Sequence, residues 1–143
     1  MINFFKNEYK WLSNFYPSHF TYLDREYKSV EHFYQSKKAI KESDETSIIN
    51  MYLAFEAKKA GRKVELRNDW EEKKGDVMLL ALLLKFSIPS LKDKLLGTGN
   101  VFLKEGNTWH DNYWGNCYCY KCKDIKGLNM LGKLLMEVRE FYR

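Results

Sequence analysis

Ser29-Val30-Glu31-His32-Phe33-Tyr34-Gln35 is the stretch whose reading decides the fold, because it sets a carboxylate in the first turn of a predicted helix among aromatic neighbours. Ser29 is a good N-cap, and Val30, Phe33, Tyr34 and Ile40 recur at roughly helical spacing, so the pattern predicts a helix from about residue 30 to 41. Glu31 then lies near the positive end of the helix dipole, which favours its ionised form. From pattern alone, such a glutamate is more often a solvated charge helping its helix than a reactive group. Just upstream, Trp11-Leu12-Ser13-Asn14-Phe15-Tyr16-Pro17 crowds aromatic and small polar side chains together, a poor composition for a core strand and a good one for a pocket wall.

Working outward, Ser43-Asp44 can cap a second helical stretch through Ile48, Ile49, Tyr52 and Phe55 to Gly61, with a break near Asn50. Asn68-Asp69 caps the longest helix, Trp70 to about Phe86, with Met78, Leu79, Leu82, Leu83 and Phe86 as its buried stripe. Gly75 inside it points to a kink or a close approach. Pro89-Ser90 opens a short helix to Leu96, stopped by Gly97-Thr98-Gly99, and a last helix from Asn129 turns Leu131, Leu134, Leu135, Val138 and Phe141 inward. Ile2 to Phe5 and Asn100 to Glu105 read as strands, and His19 to Leu23, a turn at Asp24-Arg25 and Glu26-Tyr27 read as a hairpin. The expected architecture is α+β: a mostly helical single domain over residues 1–143 with a small β-sheet or hairpin.

Aromatic residues make up 16% of the chain, a high share, and rings beyond the needs of a core often become stacking surfaces, the alternative being an aromatic-rich core. The net charge of +5 comes from scattered lysines and arginines and draws anionic partners without choosing among them. The start lacks a basic segment followed by an apolar run, and the longest apolar run, Val77 to Leu84, is far below the roughly 20 residues that cross a bilayer, so a soluble, cytoplasmic protein with no membrane partner is expected. Cys117, Cys119 and Cys122 argue against a disulfide scaffold and for reduced thiols or a metal; with His110 they can complete a Cys3His zinc site, the alternative being three thiols in a tight loop.

No phosphate-binding loop, dinucleotide fingerprint, zinc-protease motif or serine-hydrolase elbow occurs. What remains is an acid, aromatic clusters and several cations, a set suited to cleaving a bond between ribose and a nitrogen base. That cleavage develops positive charge on the sugar, which a carboxylate stabilises while it orients water and stacked rings hold the base. Trp70 at a helix start and Trp114 in an irregular loop are less typical core positions, and so are candidates for the base stack. Arg62 and Arg67 can meet a phosphate, although scattered arginines are usually only solvated. Lys38, on the expected helix beyond Glu31, faces either pocket or water.

The motifs Trp11 to Pro17, Tyr27 with Ser29 to Gln35, Lys38-Ala39, Ala57-Lys58, Gly61-Arg62, Asp69-Trp70, Lys85-Phe86, Leu96 to Gly99, Trp114-Gly115, Asn129 with Leu131-Gly132, and Val138-Arg139 resemble, in order, those of the YbiA-like, or NADAR, family. The resemblance implies an N-glycosidase fold whose members act on phosphorylated riboflavin-pathway intermediates or remove ADP-ribose from guanine in nucleic acid. It implies Glu31 as the key acidic residue and Trp70 and Trp114 as functional tryptophans. The family often carries Asp after the Trp-Gly pair where this chain has Asn116, with Asp111 nearby as a second catalytic candidate. On this reading Ser13 and Asn14 fix ribose hydroxyls beside Phe15, Arg62 and Lys38 meet phosphate, and the reaction needs no metal or nicotinamide cofactor. A non-catalytic ADP-ribose or nucleotide-binding module is the rival that Asn116 leaves open.

Overall fold

The computed structural model describes all residues from Met1 to Arg143 and is α+β, with six α-helices, two short 3-10 helices and two two-stranded sheets. It packs as two compact units, one continuous from Asn14 to Ile88 and one assembled from Met1–Ser13 and Pro89–Arg143.

The continuous unit is built around α1 (Val30–Ser36), capped as expected by Ser29, whose Oγ accepts from His32 N at 3.2 Å. The helix is shorter than its pattern suggested. Residues 38–40 leave it to pair with 65–67, through Ile40 N to Glu65 O at 3.1 Å and Arg67 N to Lys38 O at 2.9 Å. Lys38 is therefore in the turn that follows the helix rather than on it. Every residue of α1 is buried, which makes it a central helix and not an amphipathic one.

Phe33 anchors α1 on the hairpin β1 (Phe20–Tyr22) and β2 (Arg25–Tyr27), with ring centroids 4.8 Å from Tyr27, 5.7 Å from Tyr22 and 5.9 Å from Phe20. The hairpin turns at Leu23-Asp24, one residue earlier than expected, both at positive φ (48° and 64°), the backbone of the mirror-image turn that matches strand twist. Around α1 pack α2 (Glu42–Asn50), α3 (Ala54–Gly61) and α4 (Trp70–Lys85). The expected break after Asn50 has a physical cause: the Met51 carbonyl leaves the helix to accept Lys28 Nζ at 2.9 Å and His32 Nε2 at 3.0 Å. Burial holds the His32 pKa below its ordinary value, which suits a neutral ring donating from Nε2 and accepting the Ser29 hydroxyl at Nδ1.

On α4 the buried stripe is Met78, Ala81, Leu82 and Lys85, continuing to Phe86, with Leu79 and Leu83 only half-buried. Gly75 makes no close approach, since a Cβ there would meet open space.

In the second unit, the expected strands at Ile2–Phe5 and Asn100–Glu105 shrink to one parallel bridge, Ile2 with Leu103. A 3-10 helix over Asn7–Leu12 follows the first. α5 (Pro89–Gly97) packs on α6 (Met130–Phe141), and β3 (Gly106–Asn107) runs parallel to β4 (Asn116–Cys117). Helix α6 buries Leu131, Leu134, Leu135 and Val138 as expected, whereas Phe141 is 71% exposed. Arg139 is buried in this part of the helix instead, because its guanidinium finds Thr98 Oγ1 at 2.9 Å and Val101 O at 2.8 Å. No helix is long and apolar enough to cross a membrane.

Candidate functional site

Glu31 is only 6% exposed, so the solvated first-turn reading does not hold. Its amide donates to Asn14 O at 3.1 Å, which ties the Asn14-Phe15-Tyr16 segment to the start of α1. One turn on, Gln35 Nε2 donates to Glu31 Oε1 at 2.7 Å. That bond fixes the carboxylate and leaves the amide oxygen of Gln35 buried without a partner, as is Asn14 Oδ1. A buried acceptor left unpaired costs about 1–3 kcal/mol. One sits on the side chain that holds the carboxylate and the other on the residue whose carbonyl accepts the Glu31 amide, two acceptors that a ligand's hydroxyls or N–H groups could satisfy.

The packing that holds Gln35 is itself specific. A Cβ at Gly61, on α3, would overlap the Gln35 amide oxygen and lie 2.8 Å from its Cδ. Gly61→Ala should therefore push Gln35 off Glu31, lowering turnover about 10- to 100-fold and stability by about 1–3 kcal/mol. Steady-state kinetics beside denaturant unfolding test this; unchanged kcat would mean that Gln35 does not orient the acid.

Lys38 links the same carboxylate to a group of cations. Burial lowers the Lys38 ammonium below its ordinary value, Glu31 opposes that shift, and the charges of Arg62, Lys58 and Lys74 reinforce it. Lys38 thus senses one carboxylate and three other cations, the electrostatics of an anion site. Arg62 is exposed, whereas Arg67, the other arginine candidate, is held in a two-point ion pair by Asp69 at 2.6 and 2.9 Å. Phe15, 38% exposed, carries Lys58 Nζ 5.6 Å from its ring centroid. Trp70 is 4% exposed and packs 5.1 Å from Tyr34, over which Lys38 also lies. Phe15 therefore has the more open ring of the two.

Helix α4 adds a second buried ionisable group. At about 100° per residue, Trp70, Lys74, Met78, Ala81 and Lys85 share an arc of about 80°, and Asn14 Nδ2 lies 3.6 Å from Met78 Sδ on that stripe. Lys85 is fully buried, with Nζ 5.8 Å from the Tyr16 ring centroid and 5.1 Å from that of Phe86, and burial lowers its pKa to about 7.

Asn14, Phe15, Glu31, Lys38, Arg62 and Trp70 thus fall in the continuous unit, while Ser13, Asp111, Trp114 and Asn116 belong to the other. Ser13 ends the first 3-10 helix. Asp111 Oδ1 accepts the amides of Tyr113 at 3.1 Å and Trp114 at 2.9 Å, and Asn116 Oδ1 accepts Gly127 N at 2.8 Å, so both brace the loop. Trp114 stacks on Tyr113, centroids 4.8 Å apart and 7° from parallel. Sequence reasoning gave no role to Gln35, Lys58, Lys74 or Lys85. The spacing i to i+4 from Glu31 could have found Gln35, and a lysine seven residues after Met78 on an apolar stripe could have found Lys85.

The NADAR domain model matches residues 3–143, a span that runs through both units. The chain is 46% identical over 83 residues to the riboflavin biosynthesis protein PYRR of Arabidopsis thaliana, covering 57% of this chain and 13% of that one. It is 42% identical over 80 residues to N-glycosidase Npun_R5314 of Nostoc punctiforme, covering 55% and 47%. It is likewise 42% identical over 80 residues to N-glycosidase YbiA of Escherichia coli, covering 55% and 46%. These matches thus span less than half of each curated relative. The NMR structure of the E. coli protein YbiA superposes with a TM-score of 0.85 at 34% identity, covering 98% of this chain and 83% of that chain.

Proposed function

Because the chain belongs to the NADAR domain family, we propose that it is an N-glycosidase that hydrolyses the bond between a phosphorylated ribose and a nitrogen base. The observation that carries this reading is the buried Glu31 carboxylate, fixed by Gln35, flanked by two unpartnered acceptors and coupled to the Lys38 cation set. Water adds its oxygen to the anomeric carbon as the carbon–nitrogen bond breaks, and the base leaves with the bonding pair and a proton. Glu31 stabilises the ribosyl cation and orients the water. Asn14 Oδ1 and Gln35 Oε1 accept from the ribose hydroxyls, and Lys38 and Arg62 hold the phosphate with Lys58 and Lys74. Trp70 and Trp114 are the tryptophans to which the resemblance gives a functional role, and Phe15, with its more open ring, is a further candidate to stack on the base. Lys85, whose proton affinity falls near neutrality, supplies the leaving base with its proton.

One relative is named a riboflavin biosynthesis protein and another an N-glycosidase, which with the family resemblance supports the phosphorylated aminouracil intermediates of riboflavin synthesis as the first substrates to assay. Incubation with them should release ribose 5-phosphate. Binding without release would favour the nucleotide-binding module. Three cations in the field of Lys38 also suit a diphosphate, so ADP-ribosylated guanine in an oligonucleotide is the second substrate to assay, read as release of ADP-ribose.

Replacing Lys38 and Arg62 together by Ala should raise KM for the phosphorylated substrate at least about tenfold, near 1.4 kcal/mol, and leave the unphosphorylated riboside unaffected. An equal loss on both substrates would place these cations elsewhere than at the phosphate.

A further inference from the structure

The loop between β3 and α6 gathers four groups that the proposed hydrolysis does not use. His110, Cys117, Cys119 and Cys122 bring one ligand atom each, and these atoms all lie within 4.8 Å of one another. His110 Nδ1 is 3.3 Å from Cys119 Sγ and 3.4 Å from Cys122 Sγ. In a tetrahedral zinc site, bond lengths of about 2.3 Å to sulfur and 2.0–2.1 Å to nitrogen put nitrogen about 3.6 Å from each sulfur and the sulfurs about 3.8 Å apart. The four atoms are within about 1 Å of that arrangement, and no disulfide uses any of the thiols.

The backbone supports the cluster as it would a thiolate centre. The amides of His110 and Cys119 both donate to Cys117 Sγ at 3.4 Å, placing positive dipoles on a sulfur that gains from them when charged. Asn112 Oδ1 accepts Cys117 N at 2.9 Å and holds that strand end in place. His110 sits at φ 69°, in the left-handed region that non-glycine residues seldom adopt, with its imidazole beside the thiols.

We infer that His110, Cys117, Cys119 and Cys122 bind a structural zinc ion that fixes the loop carrying Trp114 and Asn116. Thiolate and imidazole are the donors structural zinc takes, and the four fill its coordination shell with no position left for water or substrate. Binding converts three thiols to thiolates and releases three protons, leaving a centre of charge −1 beside Lys121, Lys123 and Lys126 in the sequence. The gain is conformational: this loop has little regular structure, and a metal cross-links its start to the region after β4. The centre is read from metal binding and not from turnover, so its failure is distinguishable from failure of the proposed reaction.

The test is metal content and cobalt titration of the whole chain. Zinc should co-purify at one equivalent, and cobalt substitution should give thiolate-to-metal charge-transfer absorption with the visible bands of tetrahedral cobalt. Cys119→Ser, at a half-exposed position that tolerates the change, should lose thiolate intensity and weaken binding at least about tenfold; His110→Ala should weaken it similarly. A chelator should lower the wild-type Tm by several degrees, as loss of a ligand bound only to the folded state does. A chain that binds no zinc, with all three thiols reacting at free-thiol rates in excess zinc, overturns the assignment. So does a cobalt spectrum that Cys119→Ser leaves unchanged.

Discussion

Glu31→Gln is expected to lower kcat about 1,000-fold, near 4 kcal/mol of transition-state stabilisation, with KM within about threefold. Glutamine keeps the size of the side chain and a carbonyl oxygen for the Gln35 Nε2 bond now made at 2.7 Å, so packing around α1 is preserved and the lost quantity is the charge. Because that charge opposes a cation that exists only as the carbon–nitrogen bond breaks, its removal should fall on kcat rather than on binding. Thermal unfolding should show no loss of stability, since the buried carboxylate gives way to a neutral amide. A kcat within tenfold of wild type would remove Glu31 from the chemistry. Asp111→Asn is the matched control: its remaining oxygen can still accept the Tyr113 and Trp114 amides, so only a modest loss is expected. A loss as deep as that of Glu31→Gln would make Asp111 a second catalytic acid.

What the sequence made legible was local chemistry, and what it hid was burial decided at long range. The Ser29 cap, the break after Asn50 and the start of α4 at Trp70 all occur, although Asp69, expected to cap α4, makes no side-chain bond to the helix and pairs with Arg67 instead. The early end of α1 was invisible because Lys38 to Ile40 are claimed by residues 65–67, a pairing no window of residues around α1 contains. Phe141, expected inward, is exposed and Arg139 is buried instead for a similar reason. The oxygens that satisfy the arginine lie at Thr98 and Val101, far away in sequence.

The candidate site shows the same division. Glu31 was singled out by family motifs, since pattern alone favoured a solvated charge; what the pattern missed is its burial and its Gln35 bond. Gly61 reads in sequence as a helix stop, yet the side chain it makes room for is the one that orients the acid. The proposed anion site also needs three dimensions: Lys38, Lys74 and the pair Lys58 and Arg62 come from three separate stretches, and no spacing rule connects the three.

Lys85→Met is expected to make the protein more stable and less active at once. An unfolded lysine titrates near 10.4, whereas burial lowers Lys85 to about 7 in the folded chain. Between those values the unfolded chain holds a proton that the folded chain has released, so wild-type stability should rise with pH from about 7 to about 10. Below pH 7 both states carry the proton, and the folded state bears the whole cost of a buried ammonium, on the order of a few kcal/mol. Methionine fills a similar volume against Tyr16 and Phe86 without that cost, so the variant should melt several degrees higher at pH 6, with the difference fading toward pH 10. Keeping a destabilising lysine on a stripe with Met78, against which Asn14 packs, is explained if its proton serves the reaction. Turnover should then fall at least about 100-fold in Lys85→Met, and wild-type kcat should show an inflection near pH 7 that the variant lacks. A variant that gains stability with its activity and pH profile intact would make Lys85 a tolerated structural burden, and the proton for the leaving base would have to come from another group.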